Sequence, residues 1–591
     1  MNDEIFDAKI KAAFEALPPA DMALMNRLRN LPEEKPAPAR RRFFAPGRLV
    51  PLGAAALALI VVVGVVATQF GFPMFNMSDP MYAMREAPTM PGPPVQYAPT
   101  LEDATEPMDS TMDCDMEATT GAEPGAPKDF NTEEYNKIIE RGFVSPAAEP
   151  LSTFASSVDT ASYSLVRGKL SRGESVTPDM VRIEEFVNYF QYDYPAPKGG
   201  APLAVSAELG ACPWAPGHLL LQVGVQAEKI DMSKAPPANL VFLIDVSGSM
   251  QMPGKLGLVR QSFLLLAENL RPQDRVSVVT YANGQDVLLD GESGANKAKI
   301  MSVIESLEAG GYTNGAGGIE AAYKCAERNF IQGGMNRVIL ATDGDFNVGV
   351  TSEGDLSRLI AKKRESGVFL SVLGYGYGNY KDNKMEALAK DGNGNAYYID
   401  SLLEARRVLV EQLGGTLNTV AKDVKLQVEF NPAGVKAYRL LGYESRMLRP
   451  EDFANDKIDG GEVGSGHCVT ALYEIIPAGS DEAVPGLDLK YQQRVPVPSN
   501  ELLTVAVRYK LPDGDTSRLI ERPVTLEDKK AAPSDNMLWA GAVAEFALVL
   551  RQSQYAGRAS AAGALAQARR TDYRADPYRA EFVRILEKSA G

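Results

Sequence analysis

The chain has 591 residues, a net charge of −15 and a 45% hydrophobic content, too long for one core, so about two to four domains are expected. The acidic balance argues against nucleic acid as a partner, because phosphate binding needs a basic surface. Two histidines, His218 and His467, and four cysteines with no C-x-x-C spacing exclude a two-histidine zinc hydrolase, a zinc ribbon and a thioredoxin-type site.

Residues 1–46 read as a short inner tail. Its "DAKIKAAFEAL" and "MALMNRLRNL" have helical patterns, which suit either a solvated tail or a docking peptide for a cytoplasmic partner. Residues 47–72 read as a transmembrane helix. The run "PLGAAALALIVVVGVVATQFGF", Pro51 to Phe72, meets the need for about 20 apolar residues. Arg40, Arg41, Arg42 and Arg48 precede it, and no lysine or arginine follows until Arg85. That asymmetry puts the N-terminus inside and the bulk of the chain outside. A signal peptide cut after "VVA" is the competing reading, disfavoured by the long region before it. The expected location is a single pass through the inner (cytoplasmic) membrane, with the bulk periplasmic. Residues 73–128, rich in proline, methionine and acids, read as a disordered linker.

Residues 129–235 form an N-terminal flank. "TEEYNKIIERGF", with Thr132 as cap, "TASYSLVRGKLSRG" and "TPDMVRIEEFVNYF" predict helices; "PLAVSAELGACPW" and "HLLLQVGVQAEK" predict strands. Over residues 236–418 strands alternate with helices. The strands are "NLVFLIDV", "RVSVVTYA", "NRVILATD", "VFLSVLGYG" and "NAYYID", with "DVLLDG" as an antiparallel edge. Alternation of this kind predicts a doubly wound α/β fold with a mostly parallel sheet. Cys325, in "EAAYKCAERNF", is expected on a core-facing helix.

Residues 419–530 turn to period two. In "DVKLQVEFNP", Val424, Leu426, Val428 and Phe430 share one face. "CVTALYEIIPAG", "LLTVAVRYKL" and "SRLIERPVTL" follow, with a turn at Pro512 to Asp515. This layer lacks its first strands, and the two strands before Asn239 can supply them. The α/β domain is therefore expected as an insertion in a β-sandwich. Cys212 and Cys468 fall in that β-domain, and spacing alone leaves a bridge between them open. Residues 531–591 predict terminal helices, the first capped by Ser534 and carrying Glu545.

The chemistry gathers at "NLVFLIDVSGSMQ". Its continuous apolar run predicts a strand buried on both faces. Asp245, Ser247 and Ser249 follow, at the carboxyl end where open α/β sheets bind ligands. D-x-S-x-S alone is a weak signal. "GGYTNGAGGI" adds Thr313 and "VILATDGD" adds Asp343, each at a strand or loop end facing the same crevice. Oxygen-only donors suit hard cations: Mg2+, Mn2+ or Ca2+. The same groups also suit bare turn and cap hydrogen bonds.

D-x-S-G-S, the loop threonine and T-D-G, in this order, resemble the metal-ion-dependent adhesion site of von Willebrand factor type A domains. The resemblance implies Ser247, Ser249 and Thr313 as inner ligands, and Asp245 and Asp343 as inner or water-mediated ones. It also implies an open position completed by a partner's Glu or Asp. Asp345 reads as a solvated neighbour. "PLSTFASSVDTASYSLVRGKL", "VRIEEFVNYFQYDYP", "ACPWAPGHLLLQVGV" and "VTALYEIIP" resemble a bacterial group in which flanks of unknown function enclose a type A domain. "GYGYGNY" has the spacing G-x-G-x-G, not that of a dinucleotide loop, and reads as a tight turn.

The expected function is binding of a protein ligand, not catalysis. Metal-assisted phosphoester hydrolysis is the rival from another class, but no base or arginine clamp is evident near these loops. A signalling role, with residues 1–46 binding a regulator, is the second alternative.

Overall fold

In the computed structural model the described residues are 135, 137–156, 159–231, 234–311, 315–344, 353–377, 382–412, 415, 418–458, 460–484 and 499–590. The inner tail, the apolar segment, the linker, Thr132, Thr313 and Asp345 lie outside them. Among the described residues no helix is long and apolar enough to cross a membrane.

The helix expected over residues 132–143 is not found where the flank is described. No helix forms over residues 137–143. Instead Val144 exchanges backbone hydrogen bonds with Tyr438, at 2.9 and 3.0 Å, and the Ile138 N–H donates to Asp179 Oδ1 at 2.9 Å. Backbone groups that find partners this far along the chain override a weak local helical preference. Then come β1 (Leu151–Ala155), α1 (Ala161–Arg172), α2 (Ile183–Tyr189), β2 (Leu203–Ala211) and β3 (Leu219–Ala227). α1 stops at Gly173, whose φ of +74° takes the left-handed turn that closes a helix.

The α/β domain follows. Its elements are β4 (Ala238–Asp245), α3 (Leu256–Glu268), β5 (Arg275–Tyr281), β6 (Gln285–Ser293), α4 (Lys297–Glu305), α5 (Gly315–Arg328) and β7 (Met335–Thr342). They continue with α6 (Glu353–Arg364), β8 (Val368–Tyr375), α7 (Asp382–Asp391), β9 (Ala396–Ile399) and α8 (Leu402–Arg406), which runs into a π turn, Arg407–Glu411. The strand order is β6-β5-β4-β7-β8-β9, parallel except for β6. The order reverses between β4 and β7, which makes their carboxyl ends the switch point. Every residue of β4 is buried. Val241 and Leu243 join one apolar cluster with Ile319, Tyr323 and Cys325 of α5; Leu240, Phe242 and Ile244 join another with Val259 and Phe263 of α3. A strand covered on both faces explains the unbroken apolar run.

The last part supplies β10 (Thr419–Phe430), β11 (Val435–Leu440), β12 (Met447–Leu448), β13 (Val463–Gly464), β14 (Cys468–Pro477), β15 (Glu501–Lys510) and β16 (Ser517–Thr525). Two antiparallel sheets result, β12-β1-β10-β15-β16, with β13 on β10, and β11-β14-β3-β2. Val424, Leu426, Val428 and Phe430 share one buried cluster with Leu221, Val223, Val225 and Ile475 of the other sheet. Strands on either side of the α/β domain in sequence thus pair in space, as in Leu221 opposite Tyr473. Cys212 and Cys468 are both buried and free. Cys212 lies beyond the Leu219 end of β3 and Cys468 pairs with Gln226 at the other end, roughly 23 Å away at strand spacing. Three helices close the chain: α9 (Asp535–Leu550), α10 (Ala561–Ala568) and α11 (Pro577–Ser589). Ser534 caps α9 by accepting the Met537 N–H, and Glu545 accepts the Ser560 N–H at 3.0 Å.

His218 makes this half sensitive to pH through two ion pairs. His218 Nδ1 lies 2.6 Å from Glu474 Oε1 and its Nε2 lies 2.7 Å from Glu482 Oε2. Partial burial opposes its charge, but the hydrogen bonds from the two carboxylates outweigh that and raise its pKa above 6.5. A raised histidine value means stability fully present below 6.5 and lost as pH climbs through the folded value. In urea melts at a series of pH values, the wild type should weaken over that window while His218→Gln stays flat. Parallel curves for the two proteins would refute the assignment.

Candidate metal centre

Asp245 ends β4, and its carboxylate is fixed on both sides. Oδ1 accepts the Ser247 N–H at 2.9 Å, an Asx turn; Oδ2 accepts the Tyr281 hydroxyl at 3.1 Å and that of Thr342 at 3.4 Å. Residues Gly248–Gln251 then form a 3-10 turn, which brings Ser247 Oγ and Ser249 Oγ to 3.1 Å. The loop docks on the one before α5 through two backbone bonds. The Gly248 N–H donates to Gly311 O at 2.9 Å, and the Gly310 N–H donates to Val246 O at 2.7 Å. A Cβ on Gly248 would lie 3.3 Å from that Gly311 oxygen, so the glycine of D-x-S-G-S permits the close approach. Asp343 follows β7, the strand hydrogen-bonded to β4.

Asp245, Ser247 and Asp343 are all buried. Burial, first of all, pushes the Asp245 carboxyl up to about 6; the Ser247 hydrogen bonds pull it down and the Asp343 charge raises it further. Two carboxylates out of water in mutual repulsion call for positive charge. Lys255 supplies one. Its Nζ lies 2.8 Å from Asp343 Oδ2, and the two side chains are 2% and 0% exposed. Sequence reasoning missed this lysine. The available signal was its place directly before α3, where a cation opposes the helix dipole and needs another reason to be there. "GYGYGNY" also has a packing role. Gly376, at φ +83°, crosses the Lys255 stem so closely that a Cβ would lie 2.5 Å from Lys255 Cε.

Of the five expected ligands, Asp245, Ser247, Ser249 and Asp343 fall at adjacent strand ends, and Thr313 lies outside the described residues, two positions after Gly311. Among the described residues no group of three His, Cys, Asp or Glu side chains is placed to hold a metal ion. The centre therefore rests on two carboxylates and hydroxyls. This all-oxygen donor set, with charge repulsion between its acids, fits a hard cation. Met252 and Tyr377, next to this loop and to Gly376, are exposed, and the Arg172 guanidinium stacks 3.9 Å above the Tyr377 ring.

Residues 239–411 match the family described as von Willebrand factor type A domain, 129–222 that described as von Willebrand factor, and 415–591 that described as Uncharacterized protein YfbK, C-terminal. The chain is 40% identical over 509 residues to the "Uncharacterized protein YfbK" of Escherichia coli (strain K12), covering 84% of this chain and 85% of that protein. It is 28% identical over 174 residues to the inter-alpha-trypsin inhibitor heavy chain H4 of Bos taurus, covering 28% of this chain and 19% of that protein. Among solved structures, it is similar to a von Willebrand factor type A protein from Catenulispora acidiphila, with 15% identity, TM-score 0.38, and coverage of 68% of this chain and 91% of that one.

Proposed function

The chain belongs to the family of the uncharacterized protein YfbK of Escherichia coli and carries a von Willebrand factor type A domain, and from that premise we propose a membrane-tethered, extracytoplasmic module that binds another protein through a divalent cation. Domains of this type are typically protein-interaction modules. The observation that carries the reading is the pair of buried acids, Asp245 and Asp343, flanking the switch point beside the Ser247 and Ser249 hydroxyls.

In this reading Ser247, Ser249 and Thr313 hold the cation directly, and Asp245 and Asp343 do so directly or through water. Mg2+, with Mn2+ or Ca2+ as alternatives, would supply a local positive charge with a vacant position for a partner's Glu or Asp. On a chain of net charge −15 that charge offsets the repulsion an acidic ligand meets. Tyr281 and Thr342 hold the Asp245 carboxylate in place, and exposed Met252 and Tyr377 offer apolar contact beside it. Binding is favoured over hydrolysis because domains of this type are typically protein-interaction modules.

The apolar run at 47–72 serves as the anchor, with residues 73–128 as spacer and residues 1–46 facing a cytoplasmic partner. The antiparallel sheets form a β-sandwich that carries the α/β domain as an insertion, with the terminal helices packed on it. The test is retention of protein ligands on the immobilised full chain. Ligands held in Mg2+, released by chelator and never held by Asp343→Ala support the proposal. Retention indifferent to chelator overturns it.

A further inference from the structure

We propose that Asn283 is a self-modification site: the backbone nitrogen of Gly284 converts its side-chain amide to a carboxylate, which adds a negative charge at the rim of the metal centre. The pair lies in the turn at 282–284 that joins β5 to β6, and both residues are exposed. Asn-Gly favours such turns, and a glycine leaves its own backbone nitrogen uncrowded. A Cβ on Gly284 would meet nothing within 4 Å, and among the described residues its N–H makes no hydrogen bond.

The chemistry needs only water. The Gly284 nitrogen attacks the Asn283 side-chain carbonyl, so that a C–N bond forms there and the bond from that carbon to the side-chain nitrogen breaks. The side-chain nitrogen leaves as ammonia and takes the Gly284 proton with it. Water then opens the cyclic imide at either carbonyl, which gives aspartate or its isomer with the chain running through the side-chain carboxyl. Nothing is oxidised or reduced. Nucleophile and carbonyl sit in one short segment, so the step is intramolecular. A second Asn-Gly pair shows what prevents it. The Gly394 N–H donates to Ala389 O at 2.9 Å, and Asn393 Oδ1 accepts from Arg364 Nη1 at 3.2 Å. A Cβ on Gly394 would lie 1.9 Å from Leu370 O, so the backbone there has no room to turn.

The Asn283 carboxamide lies against Gly311, where a Cβ would be 2.7 Å from its Nδ2. Gly311 O accepts the N–H of Gly248, the residue between Ser247 and Ser249. A carboxylate at 283 therefore faces the loop of the metal centre, where negative charge draws a cation. This consequence rests on the cation-binding reading above; the modification itself does not.

Full-length protein is incubated in warm, mildly alkaline buffer and digested with trypsin, and peptide masses are followed over time. The peptide at 276–297 carries Asn283 and that at 391–406 carries Asn393. The expected result is conversion of amide to acid at Asn283 about tenfold or more faster than at Asn393, where hydrogen bonds must first break. Gly284 has no positive φ, so Gly284→Ala keeps the fold and should slow the conversion. No conversion at Asn283, the same rate at Asn393, or a Gly284→Ala rate equal to wild type overturns the proposal. Magnesium titration of Asn283→Asp reads the consequence, an affinity about threefold above wild type at low salt. Equal affinities overturn the link to the metal centre. If neither protein binds magnesium, the cation reading fails and that link with it, while the peptide masses still decide the modification.

Discussion

Replacement of Arg167 by methionine destabilises the chain by about 3–5 kcal/mol. Arg167, in α1, is 1% exposed, and its guanidinium contacts Asp400 after β9, Glu404 in α8 and Glu581 in α11, along with the Tyr189 hydroxyl. Three parts of the chain thus meet on one cation. Arg407 still pairs with Glu404 when Arg167 is gone, at 2.6 Å, but Asp400 is left buried with no other ion pair among the described residues. Removing one partner of a buried ion cluster leaves an unsolvated charge, which is why the loss exceeds that of a surface pair. Arg358 with Asp355 is such a pair, with side chains 74% and 51% exposed, and Arg358→Ala should change stability by about 1 kcal/mol or less. Urea midpoints at an unchanged slope measure both. Equal shifts for the two variants would show that the buried cluster stabilises no more than a surface contact.

Lys255→Met has a comparable effect, but only without divalent cation. Its ammonium is the buried counter-charge seen on Asp343, and losing it costs about 3–5 kcal/mol in chelator. Magnesium should restore much of that loss, because a ligand at a hundred times its Kd stabilises by about 2.7 kcal/mol. The wild type, with Lys255 in place, should gain less, since lysine and cation draw on the same carboxylate. Thermal midpoints of both proteins with and without magnesium separate the terms. A Lys255→Met protein that magnesium does not stabilise would make the lysine the sole cation of this crevice.

The α/β domain was legible because its signals are local. The run Leu240 to Ile244 and the hydroxyl-rich loop after it announce a buried strand and a ligand-facing end within a dozen residues. The reversal of strand order between β4 and β7 then brings Asp343 beside Asp245. What the sequence concealed depends on distant partners. The pattern at 132–143 suits a helix, yet Val144 pairs with Tyr438, almost 300 positions later. β1, only five residues long, is defined by its register on β10 and has little pattern of its own. Lys255 gains its meaning from Asp343, 88 positions on.

The central proposition is that the Asp245–Ser249 loop, together with Asp343, holds a divalent ion. Calorimetric titration of magnesium into the wild-type chain and into a Ser247→Ala, Ser249→Ala variant addresses it directly. The metal centre predicts saturable binding at one ion per chain in the wild type and none in the variant. No binding heat in the wild type, or the same isotherm for both proteins, would contradict it.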